Sequence, residues 1–269
     1  MGSKEEKNQQ LLSFDRRRQI LEVVNRKKSV TVDALCEAFP VSRMTISRDL
    51  ERLEQDGLLQ RVHGGAVSLS HIVVAPPMSR SAQALTEEQK RIGREAAKRV
   101  ASGDFLIIES GSTCLALAEN LSEKDNLKIA TASPMIAMRL AQIVEQYNRR
   151  FEILLAGGVL NVYKNFVLGP TAVEMFQRLK VDIAFVSVTA IDPQAGITAD
   201  EVTESAVSKM ILEHCGKKTV GLICSAKFNK ASYFQVADIT VFDEIITDKG
   251  LDERTRKAFE KRGVKITRC

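Results

Sequence analysis

The sequence predicts an α/β chain in two parts: a small helical unit closed by a β-hairpin, then a larger domain built on a doubly wound, mostly parallel sheet. Three observations carry this. Residues 14–67 read as three short helices, two of them with serine or threonine at the N-cap, followed by a glycine-tipped pair of strands. From about Thr86 onward, strand-sized apolar runs alternate with helical patterns. Between these parts, 68–88 contains the adjacent prolines Pro76 and Pro77 and many small polar residues, the composition of a linker. The expected domains are therefore 14–67 and 89–269, joined by 68–88.

The first helix is expected from Phe14 to Arg26, with Ile20, Val23 and Val24 as its buried stripe and Leu21 beside them. Thr31 can cap a second helix, Val32 to Phe39, which Pro40 stops. Ser42 caps a third, Arg43 to Gln55, on which Ile46, Leu50 and Leu53 recur at i, i+4 and i+7; Gly57 ends it. Two short helices joined by so brief a turn have helix-turn-helix spacing. Leu58 to Val67, with Gly64-Gly65 at the turn, adds the hairpin of a winged helix.

At about 100° per residue, with Ile46 facing inward, Met44, Arg48, Glu51 and Gln55 point away from the core, and Ser47 and Arg52 flank them. Only the N-terminal part of a recognition helix reaches base edges, which selects Arg43, Met44, Thr45, Ser47 and Arg48. Arginine suits guanine O6/N7, and serine and threonine reach phosphates or bases. Arg61 supplies a phosphate contact from the wing, and His63 either contacts a phosphate or shapes the turn. Charge alone favours reading this face as the solvated side of a small bundle. The order of capped helix, turn, capped helix and wing is what favours double-stranded DNA.

These residues resemble a known family. Arg18-Gln19-Ile20-Leu21, Val32-Asp33-Ala34-Leu35, Val41 through Leu50, Gly57-Leu58-Leu59 and Arg61-Val62-His63-Gly64-Gly65-Ala66 are similar to the N-terminal domain of DeoR-family bacterial transcription repressors. That family usually carries two arginines before the aspartate, where this chain has Ser47-Arg48. The family's operator preference therefore does not carry over.

In the second part a helix from Glu87 to Val100 precedes strand Phe105–Glu109, then helix Cys114–Leu121. Strand Leu127–Thr131 leads to helix Met135–Tyr147, and strand Glu152–Ala156 ends at Gly157-Gly158. A helix near Thr171–Leu179, strand Ile183–Val188, helix Glu204–Cys215 and strand Thr219–Cys224 follow. A strand near Ile239–Thr247, helix Leu251–Arg262 and strand Val264–Thr267 finish the chain. In such sheets ligands bind beyond the carboxyl ends of the strands. Ser110-Gly111-Ser112-Thr113 lies there, where free backbone N–H groups at a helix start suit a phosphate and Ser112 and Thr113 can add hydroxyl donors. Thr131-Ala132-Ser133 repeats the arrangement, and Lys227 adds a cation after a later strand. Serine and glycine also fill ordinary turns, so these loops by themselves fit either reading.

Here too a resemblance applies. Glu109-Ser110-Gly111-Ser112-Thr113, Thr131-Ala132-Ser133, Gly157-Gly158, Gly169-Pro170, Gly196-Ile197-Thr198 and Cys224-Ser225-Ala226-Lys227-Phe228 resemble the DeoR C-terminal sensor domain. That domain looks like a relative of ribose-5-phosphate isomerase and glucosamine-6-phosphate deaminase. The resemblance implies that a phosphorylated sugar is bound by Glu109, Ser110, Gly111, Ser112, Thr113, Thr131, Ser133, Gly157, Gly158 and Lys227. Glu109 and Cys224 stand where the family usually has aspartates.

Composition excludes other classes. The chain has 269 residues, 44% hydrophobic and 27% charged, which rules out a mostly disordered or collagen-like protein. No apolar run is long enough to span a membrane, and the polar N-terminus lacks the apolar core of a secretory signal. The five cysteines are widely spaced without C-x-x-C, as expected of reduced thiols in the cytoplasm. Cys114, at a helix start, is a redox switch or simply a small packed residue. The three histidines are scattered, so neither metal nor cofactor is expected. Residues 1–65 hold 12 Lys/Arg against 10 Asp/Glu, so placement of charge rather than its bulk carries the nucleic-acid argument.

The expectation is a DNA-binding repressor of a sugar or carbohydrate operon, modulated by a phosphorylated sugar. A single winged helix reads few base pairs, so symmetric half-sites require a homodimer or homotetramer. The rival is an isomerase- or deaminase-like enzyme with an appended DNA-binding domain. Aldose–ketose chemistry needs a positioned acid and base, and only Glu109 can be placed beside the glycine loop; Asp200 and Glu201 are the candidates to join it.

Overall fold

The computed structural model describes residues 4–27, 29–56, 58–62, 65–68 and 85–269. The chain divides into two compact units, 1–73 and 74–269.

The smaller unit contains α1 (Lys4–Lys27), β1 (Ser29–Thr31), α2 (Val32–Ala38), α3 (Arg43–Gln55), β2 (Leu59–Val62) and β3 (Gly65–Ser68). Helix α1 starts ten residues before the expected Phe14, because Lys4 to Ser13 is rich in Glu, Lys, Gln and Leu with no breaker. Thr31 and Ser42 cap α2 and α3 by accepting from the N–H groups of Ala34 and Thr45. Ile20, Val24, Leu35, Ile46, Leu50 and Leu53 close one core against Leu59 and Ala66. The hairpin β2–β3 forms, and β1, which the sequence reading did not anticipate, pairs antiparallel with β3 to make three strands.

The larger unit contains α4 (Glu87–Ala97), β4 (Phe105–Ile108), α5 (Ser112–Glu119), β5 (Leu127–Thr131), α6 (Pro134–Tyr147), β6 (Phe151–Leu155), β7 (Val159–Asn161), β8 (Phe166–Leu168) and α7 (Pro170–Gln177). It continues with β9 (Val181–Val186), β10 (Ala190–Asp192), β11 (Gly196–Ala199), α8 (Val202–His214), β12 (Gly216–Leu222), β13 (Phe234–Ala237), β14 (Glu244–Thr247), α9 (Glu253–Glu260) and β15 (Lys265–Arg268). Seven strands form a parallel sheet in the order β15-β14-β12-β9-β4-β5-β6. Side chains alternate between two cores. Leu106, Ile108, Ile183 and Phe185 pack with α4, α5 and α6, whereas Ile107, Ala184 and Val186 pack with α7, α8 and α9. This is the doubly wound arrangement. The chain runs outward from β4 to β6, then returns to place β9 on β4's other side, so the topological switch point lies between β4 and β9.

Several elements differ from the sequence reading. The single strand expected over 239–247 is a 3-10 turn, Ile239–Val241, followed by β14. Asp238 accepts from the N–H of Thr240 and holds the turn against the apolar run. The antiparallel pairs β7–β8 and β10–β11–β13 are additional to the parallel sheet. Most of the expected linker lies outside the described residues; Ser68 already closes β3 and Thr86 already caps α4.

Candidate nucleic-acid interface and effector site

On α3 the buried face is Ile46, Asp49, Leu50 and Leu53. The opposite face is open: Met44 is 66% exposed, and Arg43, Arg48, Glu51 and Gln55 are exposed with it, while Thr45 and Ser47 are half-buried. Thr45 is drawn into the cap, its hydroxyl 2.9 Å from that of Ser42. Arg43 pairs with Asp33 of α2 on the surface, where such a pair is weak enough to be exchanged for a phosphate. Arg61 is exposed, and its backbone N–H donates to Glu54 Oε1 at 2.9 Å. Glu54 therefore ties the end of α3 to the wing. His63 lies outside the described residues.

Sequence reasoning missed what orients α3. Arg16 of α1 grips Asp49 with two bonds, Nε to Oδ2 at 2.6 Å and Nη2 to Oδ1 at 3.2 Å. Asp49 is only 4% exposed, so this fork anchors α3 to α1 from within.

The second site is at the switch point. Gly111, at φ +96°, turns the chain sharply from β4 into α5. The turn leaves the first N–H groups of α5 at the carboxyl end of the sheet. Ser187, which follows β9, closes the other side. Its Oγ is 3.2 Å from Thr113 Oγ1 and 3.3 Å from Lys227 Nζ. Lys227 also donates to the Val188 carbonyl at 2.6 Å. Burial lowers its pKa, while Cys224, Cys114, Glu204 and Glu109 favour the charge. The structure thus brings Lys227 to the glycine loop through Ser187, which sequence reasoning did not single out.

Other hydroxyls expected at the ligand are committed internally. Thr113 Oγ1 donates to the Leu222 carbonyl at 2.7 Å, so this residue offers its backbone N–H rather than its hydroxyl. Thr131 Oγ1 donates to the Glu109 carbonyl and accepts from the N–H of Ser133, both at 3.0 Å. Ser133 is fully buried, caps α6 and donates to Asn165 Oδ1. Thr131 thus braces the end of β4 just before the loop, and Ser133 braces the start of α6. Gly157 and Gly158 follow β6 at the sheet's edge, two strands from β4. Ser110 and Ser112 are half-buried, and Ser112 Oγ accepts from Gln89 Nε2 at 2.8 Å.

Glu109 is 2% exposed. Burial pushes its carboxyl up to about 8, and the nearby Glu204 adds to the effect; the Ser208 hydroxyl, the Ser187 N–H and Lys227 oppose it. Ser208 Oγ donates to Oε1 at 2.6 Å. One turn earlier on α8, Glu204 joins Asp200 in holding Lys164 of the β7–β8 turn. Burial works against the Lys164 charge, but the two carboxylates outweigh it and raise its pKa. Cys114 is fully buried with its thiol pKa driven upward by desolvation, the behaviour of a packed residue rather than a reactive thiol. No group of three or more His, Cys, Asp or Glu with metal-site geometry occurs among the described residues, and no described helix is long and apolar enough to cross a membrane.

A winged helix-turn-helix in the same chain as an α/β domain with a glycine turn at its switch point defines a class: a DNA-binding transcriptional regulator. The DeoR-like helix-turn-helix domain matches residues 16–71 and the DeoR C terminal sensor domain matches 85–249. The chain belongs to the DeoR family. It is 30% identical to the uncharacterized HTH-type transcriptional regulator YulB of Bacillus subtilis, over 96% of this chain and 97% of that protein. It is 29% identical to the HTH-type transcriptional regulator GlpR of Haloferax volcanii, over 95% and 98%. It is also 29% identical to the glycerol-3-phosphate regulon repressor of Escherichia coli, over 85% and 88%. Among solved structures, a ribose-5-phosphate isomerase in complex with phospho-erythronic acid aligns at 14% identity with a TM-score of 0.37, over 52% of each chain.

Proposed function

We propose that this chain is a cytoplasmic repressor of a carbohydrate operon whose operator affinity is set by a phosphorylated sugar. Residues 14–67 bind the operator through Arg43, Met44, Thr45, Ser47 and Arg48 of α3, with Arg61 and His63 of the wing on phosphates. Residues 68–88 link this unit to 89–269, which senses the sugar phosphate and builds a homodimer or homotetramer. That assembly presents two winged helices to symmetric half-sites.

The observation that carries the effector reading is the convergence at the switch point. The N–H groups of the 110–113 turn, the Ser112 hydroxyl, Ser187 and the Lys227 ammonium all lie at the meeting of β4 and β9. A dianion needs several converging donors, and a helix start adds a favourable dipole. Glu109 directly precedes the loop, and this reading assigns its carboxyl to the sugar end. The larger domain is a sensor rather than a catalyst, in keeping with the regulator names of relatives that match this chain over most of their length.

A thermal-shift panel of sugar phosphates and their parent sugars tests this. At least one phosphate should raise the unfolding temperature, and its parent sugar should be far weaker. Equal potency of sugar and sugar phosphate would eliminate the anion loop, and turnover of any panel member would restore the enzyme reading.

A further inference from the structure

Gln89 is bonded at both ends of its side-chain amide. Its Oε1 accepts from the N–H of Thr86 at 2.9 Å, completing the capping box that starts α4. Its Nε2 donates to Ser112 Oγ, the first residue of α5. A planar carboxamide cannot turn toward one partner without leaving the other. One helical turn further along, Gly93 lies against the backbone of Ala116, where a Cβ would overlap the chain, so α4 and α5 are in direct backbone contact. By accepting from Gln89, the Ser112 hydroxyl keeps its own proton for another acceptor. Thr86 caps the first described helix of the larger unit.

We propose that Gln89 is a positioning residue for the anion loop: it sets Ser112 as a donor to the bound phosphate and carries the loop's occupancy to Thr86, at the start of α4. This rests on the anion reading of the 110–113 loop given above. A bound anion draws the Ser112 hydroxyl toward itself, and the Gln89 amide follows or lets go. In either case the capping box registers the event at the start of α4.

The test is hydrogen–deuterium exchange on the full-length protein with inorganic phosphate as the probe. In the wild type, phosphate should slow exchange both at 112–115 and at 89–91. Gln89→Glu separates capping from positioning, because a glutamate in a Thr-x-x-Glu box still accepts the Thr86 N–H but cannot donate to Ser112. In Gln89→Glu, protection of 89–91 without phosphate should stay near the wild-type level. Phosphate should bind about tenfold more weakly, from the lost donor and the added like charge, and the α4 response should disappear. Wild-type phosphate affinity in Gln89→Glu overturns the inference, as does an α4 response that survives the substitution. So does a wild-type response confined to 112–115. No response at 112–115 in the wild type overturns the anion reading, and the inference with it.

Discussion

Replacing Glu109 with glutamine should make the larger unit more stable at neutral and alkaline pH, by an amount that grows with pH. The Glu109 carboxyl sits at about 8 in the folded protein against an ordinary value of 4.5. Below pH 4.5 it is protonated in both folded and unfolded chains and costs nothing. Between 4.5 and 8 the unfolded chain loses the proton while the folded chain keeps it, so stability falls as pH rises. The slope is about 1.4 kcal/mol per pH unit, and across the window the loss reaches about 5 kcal/mol. Glutamine can still accept from Ser208 and carries no such dependence. Titrating groups that do not interact with Glu109 are common to both proteins and cancel in their difference. The chain has no tryptophan, and its three tyrosines, Tyr147, Tyr163 and Tyr233, all lie in the larger unit. Tyrosine fluorescence in a urea titration therefore follows this unit alone. The stability advantage of Glu109→Gln should widen from about pH 5 to about pH 8 and then level off. A difference that stays constant over that range would mean that Glu109 titrates as an ordinary surface glutamate, and the buried-acid description would fall.

Three other outcomes follow from the smaller unit. Arg48→Ala should weaken operator binding by about 1–3 kcal/mol and relax preference at one position per half-site, measured by binding to a library of operator variants; equal losses on specific and random DNA would make Arg48 a phosphate contact. Operator affinity should fall steeply with salt as Arg43 and Arg61 displace counterions, and a flat log–log plot would count against both. Asp49→Ala leaves the half-buried Arg16 without its partner and should destabilise the smaller unit by about 3 kcal/mol. Its calorimetric transition should move down while the tyrosine-reported transition of the larger unit stays in place.

Much of the smaller unit was legible because its signals are local. Thr31 and Ser42 announce helix starts, and Ile46, Leu50 and Leu53 mark one face within a few turns. The Arg16–Asp49 fork was not legible, because its partners lie 33 residues apart and no periodicity links them. In the larger unit the alternation of strands and helices fixed the class of sheet. The short antiparallel pairs escaped because three- and four-residue strands such as β7 and β10 are too brief to show a pattern. The glycine loop at 110–113 stood out because glycine, serine and a helix start coincide there. Ser187, Ser208 and Gln89 did not stand out: each is an ordinary polar residue whose partner comes from another element. Thr113 and Thr131 were assigned to the ligand by type, and only the fold shows their hydroxyls bonded to backbone carbonyls.

The central claim is that a phosphate seated between the 110–113 loop and Lys227 changes operator affinity. It is tested most directly by titrating the active sugar phosphate from the thermal-shift panel into a fluorescently labelled operator complex, with wild-type protein and with Lys227→Ala. Wild type should change its operator affinity in response to the phosphate, and far less to the parent sugar. Lys227→Ala should bind the operator as wild type does and fail to respond. A Lys227→Ala protein that responds at wild-type concentrations of the phosphate would contradict the claim.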